Sequence, residues 1–147
     1  VERIHRVILP AEALEQLAAR APVQVPSIDG GRHELIEQAQ RLLGARVARI
    51  ETMGTYACRN IIGNRALTAF RSQHASANAI DISGFRLSDG RSIRLTADWQ
   101  RKDAIGEFLR RGHTRACPYF RVALSPNFNA AHRDHFHFDR GFMWTCK

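Results

Sequence analysis

Lysine is nearly missing from this chain: only Lys102 and Lys147 are lysine among its 22 basic residues, and all the others are arginine. A lysine-rich arm that holds nucleic acid by charge alone is therefore excluded, and the arginines are too scattered to form one. Long apolar runs are missing as well, so no stretch offers the roughly 20 residues a membrane span requires. No charged segment followed by an apolar one opens the chain, and with Val1 as first residue the question of a leader further upstream stays open. C-x-x-C spacing is absent among the three cysteines, which argues against a zinc ribbon or a thioredoxin-like redox pair. There is no internal repeat, low-complexity tract or linker.

What is present describes one ordinary domain. A chain of 147 residues, 44% hydrophobic and 24% charged, is long enough for one core and too short for two. We read residues 1–147 as a single domain, with an N-terminal helical part to about residue 45 and a motif-bearing core from about 46 to 147. The net charge of +8 has two readings. Arginine grips carboxylate and phosphate bidentately, which favours an anionic partner, while the plain alternative is a solvated arginine-rich surface. Cys117 and Cys146 are expected to pair, because a disulfide there would pin a terminus that otherwise frays. That pairing implies an oxidising compartment and leaves Cys58 odd, or with a partner upstream of Val1.

Along the chain, Ile4 to Leu9 reads as a short strand or extended arm. Helix formers run from Ala11 to Ala19 behind Pro10, and Asp29, Gly30 and Gly31 read as a turn. Leu35, Ile36, Ala39, Leu42 and Leu43 recur at helical spacing until Gly44. Val47 to Tyr56 alternates as a strand. Ile80 and Ile82 flank Asp81 so that, on a strand, the carboxylate points away from two buried aliphatics. A hairpin turn at 88–91 returns through Ser92 to Leu95. A further helix is expected from Trp99 to Arg111, closing at Gly112, and Tyr119 to Leu124 as another alternating strand. Helices and strands in this order predict an α+β fold with a mostly antiparallel sheet.

The densest chemistry lies near the C-terminus, where residues 130–139 hold His132, Asp134, His135, His137 and Asp139 interleaved with Phe136 and Phe138. Alternation places His135, His137 and Asp139 on one face of a strand and the phenylalanines on the other. His74, Asp81 and one histidine of this cluster make a two-histidine, one-carboxylate set that leaves a fourth zinc position open, as catalytic zinc requires. His74 stands an odd seven residues before Asp81, so it reaches the same metal only from a loop that folds back. His5, His33 and His113 are expected to be structural or exposed.

Ser72, Gln73, His74 through Ala79, Ile80, Asp81, followed by His135, Phe136, His137, resembles the S-x-H-x-x-x-x-A-x-D plus H-x-H signature of the LAS-type zinc peptidases. That group includes D-alanyl-D-alanine carboxypeptidases and dipeptidases and the penicillin-insensitive murein endopeptidase. From about Val47 to the end, Gly54 to Arg59, His74 to Gly84, the Ala116-Cys117 region and Asn129 to His137 resemble more closely the bacterial extensin-like C-terminal domain. The resemblance implies a LAS/hedgehog-like zinc peptidase fold with Zn2+ on His74, Asp81 and His137. It places His135 beside the metal, to donate to an oxyanion or orient water, with Asp134 or His132 as general base and Asp134 preferred. Arg59 matches the family's arginine that binds a substrate carboxylate or steadies the tetrahedral intermediate, Ser72 supports the site from behind, and Arg71 is a weaker candidate. Ala77 stands where the family often has glycine; if that position needs a positive φ, alanine strains the loop carrying His74. Asp139 then reads as structural.

The function expected is a zinc peptidase, carboxypeptidase or endopeptidase, acting on peptidoglycan stem or cross-link peptides in the periplasm or cell envelope. The alternative, from a different class, is a catalytically weak or inactive zinc-containing envelope-binding module, since the hedgehog domain shares such a site as a ligand. Specific nucleic-acid binding has no motif to support it.

Overall fold

The computed structural model describes residues 7–9, 28–63 and 65–147. The expected helix from Ala11 to Ala19 lies outside these residues, and of the expected N-terminal strand only its last part lies within them.

Among the described residues seven strands form one sheet: β1 (Val7–Leu9), β2 (Val47–Gly54), β3 (Ala79–Leu87), β4 (Ser92–Arg94), β5 (Val122–Leu124), β6 (Phe136–Asp139) and β7 (Thr145–Cys146). Their order is β1-β2-β3-β6-β5-β7, with β4 folding back on β3 as a hairpin. Every pairing is antiparallel except β5 with β7. The fold is thus a small single-domain α+β arrangement with a mostly antiparallel sheet. Three helices accompany it among the described residues: α1 (Ile28–Leu43), the single turn α2 (Leu95–Asp98) and α3 (Ala104–Ala116).

The two long helices form because each carries an apolar stripe that the sheet can cover. Ala39 and Leu43 of α1 and Phe108 and Leu109 of α3 are buried against Ile80, Ile82, Phe85, Phe136 and Phe138. Burying a side chain of this size contributes roughly 1.5–3 kcal/mol, so these positions hold the sheet's packed face. Phe85 meets Phe108 edge-on at 5.4 Å between centroids. The Cys117–Cys146 disulfide ties the end of α3 to β7, as the sequence suggests, and Cys58 is free and exposed.

Boundaries of α1, α3 and β5 differ from the sequence reading. Helix α1 begins at Ile28 and runs through Asp29, Gly30 and Gly31, which were expected to turn. First-turn residues have no earlier turn to bond with, so glycine costs less there, and the downstream stripe extends the helix backwards. Helix α3 starts at Ala104, because Asp103 caps it by accepting from the Ile105 and Gly106 N–H groups at 3.2 and 3.3 Å. It passes through Gly112 to Ala116 instead of closing there; Gly112 faces Leu35 of α1, and the helix pair overrides its low propensity. Trp99, expected inside that helix, ends α2 and donates Nε1–H to Asn127 at 2.9 Å. Finally, β5 covers only the last part of the strand expected from Tyr119, and all three of its residues are buried, so it does not alternate.

Candidate metal centre

Strand register supplies the first two groups. Asp81 of β3 lies directly opposite His137 of β6, while Ile80 opposes Phe138 and Ile82 opposes Phe136 on the other face. A slip of one residue would bury the imidazole and expose the phenylalanines, so core packing fixes the register that brings Asp81 and His137 together. His137 Nδ1 lies 2.9 Å from Asp81 Oδ1.

The third group arrives on a loop folded back, as the odd spacing of His74 from Asp81 requires. His74 sits in a 3-10 turn, Gln73–Ser76, whose start is capped by the Ser72 hydroxyl accepting the His74 N–H at 3.3 Å. The turn closes at Ala77 in the left-handed region, φ 54° and ψ 32°, the position where a positive φ was in question. Among the described residues Ala77 is the only non-glycine there, at a cost of about 1–2 kcal/mol. The Ala57 N–H bonds the His74 carbonyl at 3.2 Å and ties the turn to the segment after β2.

His74 Nε2 then lies 3.1 Å from Asp81 Oδ1 and 3.2 Å from His137 Nδ1. With ligand bonds near 2.0–2.1 Å, the edges of a tetrahedral zinc site are roughly 3.3 Å, so this triangle has the right size. The remaining atoms of the donors are held from behind. His74 Nδ1–H donates to the Thr55 carbonyl at 3.2 Å, which leaves the Nε2 lone pair facing inward. His137 Nε2–H donates to Asp139 Oδ2 at 2.9 Å, which leaves Nδ1 facing inward, and Asp139 Oδ1 accepts from the Gly141 N–H at 2.8 Å. Such backing orients a ligand and raises its basicity, so the three residues fit a zinc ion. Asp139 thus has a definite task, one that alternation along the strand does not reveal.

Electrostatics at the triangle reflect the same contacts. Burial pushes the Asp81 carboxyl up, but hydrogen bonds from His137 and His74 outweigh it and hold the group well below the usual carboxylate range. Burial pushes His137 down, yet its bonds to Asp139 and Asp81 raise it to about 9. In the metal-free protein a proton on His137 therefore occupies the place a metal would take.

Around the triangle stand the other predicted groups. His135 Nδ1 is 2.8 Å from Asp134 Oδ1, and its Nε2 is 3.6 Å from Asp81 Oδ1. His132 closes a short 3-10 turn, Ala130–His132, and its Nδ1 lies 2.7 Å from Asn129 Oδ1. Asn129 Oδ1 already accepts from the Ala131 N–H at 3.0 Å, so His132 Nδ1 is the donor and its Nε2 carries the lone pair. Burial, reinforced by the imidazoles of His135 and His137, lowers His132 to about 4, so it is neutral at pH 7.

These groups open into a cleft of about 560 Å³ lined by His74, Asp81, His132, His135 and His137, with Arg59 and Arg71 also on its wall. Asp134, the preferred base in the sequence, does not line it; it backs His135 instead. The other histidines lie apart. His113 is buried against the core and donates Nε2–H to the Ala123 carbonyl at 3.1 Å, while exposed His33 pairs with Glu37. His5 is outside the described residues. No helix among them is long and apolar enough to cross a membrane, and the disulfide is compatible with an extracytoplasmic setting.

The chain matches the family described as extensin-like protein C-terminus over residues 10–147, and it belongs to that family. No curated protein and no solved structure matches it.

Proposed function

We propose that this extensin-like C-terminal domain is a zinc-dependent peptidase acting on peptidoglycan stem or cross-link peptides, as its resemblance to the LAS-type peptidases implies. The observation that carries the reading is the convergence of His74 Nε2, Asp81 Oδ1 and His137 Nδ1 at the floor of an open cleft. When bound there, zinc would acidify a water molecule and polarise a carbonyl group. Everything else falls to the protein. His132, neutral and with its Nε2 lone pair free, accepts the proton released from water. His135, with Asp134 hydrogen-bonded to Nδ1, stands beside Asp81 to orient water and, once protonated, to donate from Nε2 to the developing oxyanion. Arg59 on the cleft wall binds a substrate carboxylate or the charge of the tetrahedral intermediate. In this assignment Asp134 positions His135 rather than serving as the base.

One observation favours the second reading, a zinc-containing envelope-binding module: the carboxylate preferred as base is hydrogen-bonded to His135 and is not among the residues that line the cleft. Digestion of purified peptidoglycan by the zinc-loaded protein separates the two. The peptidase releases muropeptide fragments, and His132→Ala reduces the rate about 10²–10⁴-fold. A protein that keeps one zinc, adheres to the wall and releases nothing is the binding module.

A further inference from the structure

Exposed apolar side chains are not spread over this molecule. Among the described residues the exposed large hydrophobic ones are Tyr56, Ile62, Phe70, Phe142, Met143 and Trp144. Ile62, Phe70, Phe142 and Met143 line the cleft that holds the metal triangle; Trp144 follows Met143, and Tyr56 follows Thr55, whose carbonyl holds His74. Phe142 is 95% exposed and Phe70 60%. Leaving such surface in water is unfavourable by roughly 25 cal/mol per Å², and gathered patches of this kind mark binding surfaces.

The walls are built, not loose. A small ribbon forms one of them: the Ile61 N–H bonds the Phe70 carbonyl at 2.9 Å, the Ser72 N–H bonds the Arg59 carbonyl at 3.1 Å, and Asn60 bridges Arg71. It presents Ile62 and Phe70 together with the guanidinium groups of Arg59 and Arg71. Another wall is the segment leading into β7, pinned by the Thr145 N–H bonding the Arg121 carbonyl at 2.8 Å and by the disulfide at Cys146.

Charge narrows the occupant. Arg86, Arg91, Arg101, Arg111 and Arg115 each pair with a carboxylate. Arg59 and Arg71 have no carboxylate partner among the described residues: Arg59 reaches only the Asn60 carbonyl at 3.5 Å and Arg71 the Cys58 sulfur at 3.5 Å. A neutral glycan would bring no carboxylate to Arg59 and Arg71 and would set hydroxyls against the exposed Ile62, Phe70, Phe142 and Met143 side chains, where they lose water without gaining partners. A polypeptide can bring apolar side chains to these walls and a carboxylate to the arginines, and polar lining residues such as Gln73, Ser76 and Asn129 are placed to meet its backbone groups.

We propose that the cleft is a docking channel for an extended polypeptide segment, which lays apolar side chains against the Ile62–Phe70 and Phe142–Met143 walls and sets an acidic group on Arg71 beside Arg59. This rests on the peptidase reading of the site and specifies its substrate: a peptide chain gripped over several residues. Phe70, Phe142 and Arg71 determine which chains bind.

The test uses fluorescence anisotropy on the full chain in EDTA, so that no probe is cleaved during binding. The probes are a fluorescein-labelled octapeptide of alternating alanine and leucine with one central glutamate, the same peptide with serine for leucine, the same with glutamine for glutamate, and a labelled N-acetylglucosamine tetramer. The leucine peptide should bind at least tenfold more tightly than the serine peptide and the sugar. Phe70→Ser with Phe142→Ser should weaken it at least tenfold, and Arg71→Gln should erase the preference for glutamate over glutamine. Ile62→Ser is an independent wall variant should the double variant melt early. Equal binding of the serine peptide, tighter binding of the sugar, or unchanged affinity in a folded wall variant would overturn the proposal. Cleavage is read separately by mass spectrometry on zinc-loaded protein. Peptides bound as expected but never cut would sink the peptidase and leave the channel standing; cutting that ignores the wall variants would do the reverse.

Discussion

Strand β6 has two faces that answer to different demands. Phe136 and Phe138 point into the packed side, where Phe136 meets Trp99 edge-on at 5.6 Å and Phe138 stacks on Phe120 at 4.9 Å. His137 and Asp139 point into the cleft, where each polar atom has a named partner and the floor is open to a ligand. The first face holds its shape by excluding water; the second holds it by hydrogen bonds that also aim lone pairs inward. Because one register sets both, the apolar face guarantees the geometry of the polar one.

The largest way to break this comparison is to empty the packed face. Phe136→Ala removes a fully buried ring and should cost about 3–5 kcal/mol in urea unfolding, while each molecule that remains folded still takes up one zinc.

Acidity separates the faces next. His137, raised to about 9 when folded without metal, lends stability that is fully present below its ordinary value near 6.5 and is lost as pH climbs through 9. Asp81, held low, contributes above its ordinary range and is lost in acid. Neutral His132, lowered to about 4, costs stability as pH falls below 6.5, so the metal-free protein should be most stable near pH 6–7 and lose about 1–3 kcal/mol by pH 9. Zinc held by His74, Asp81 and His137 would displace the His137 proton, so its affinity should rise over the same interval. The difference in Tm between zinc-loaded and metal-free protein should widen from pH 6 to 8.5; a constant or shrinking gap would contradict the assignment of His137.

A finer cut at the polar face is Asp139→Asn, which keeps an oxygen for the Gly141 N–H but removes the charge behind His137. Zinc affinity, followed by competition with a chelator, should fall about 10–100-fold with the fold intact.

How much of this was legible in the sequence follows the same division. Alternation from His135 to Asp139 and the Ile-Asp-Ile of β3 are period-2 patterns, and they separate the two faces without any knowledge of tertiary contacts. What alternation cannot show is which atoms bond: Asp139 reads as merely structural, and Asp134 as a base facing the site. Those outcomes depend on side-chain hydrogen bonds, from the Gly141 N–H to Asp139 and between His135 and Asp134. Helix ends depart from the apolar pattern where a single group decides them. Asp103 caps α3 four residues after Trp99 opens the apolar pattern, and the pattern alone starts the helix too early. The left-handed Ala77 was legible only as a condition, since alanine carries no mark of the φ it adopts.

That residue gives the smallest expected effect. Ala77→Gly relieves the left-handed strain at the end of the His74 turn and should raise stability by about 0.5–1 kcal/mol in thermal unfolding, without altering zinc stoichiometry.

We propose that His74, Asp81 and His137 form one zinc site, completed by the register of β3 and β6. Calorimetric titration of zinc into the metal-free chain, wild type beside His137→Ala, tests it most directly. One zinc per wild-type chain is expected, with at least a hundredfold weaker binding in the variant and unchanged far-UV circular dichroism. A folded His137→Ala protein that binds zinc as tightly as wild type would contradict it.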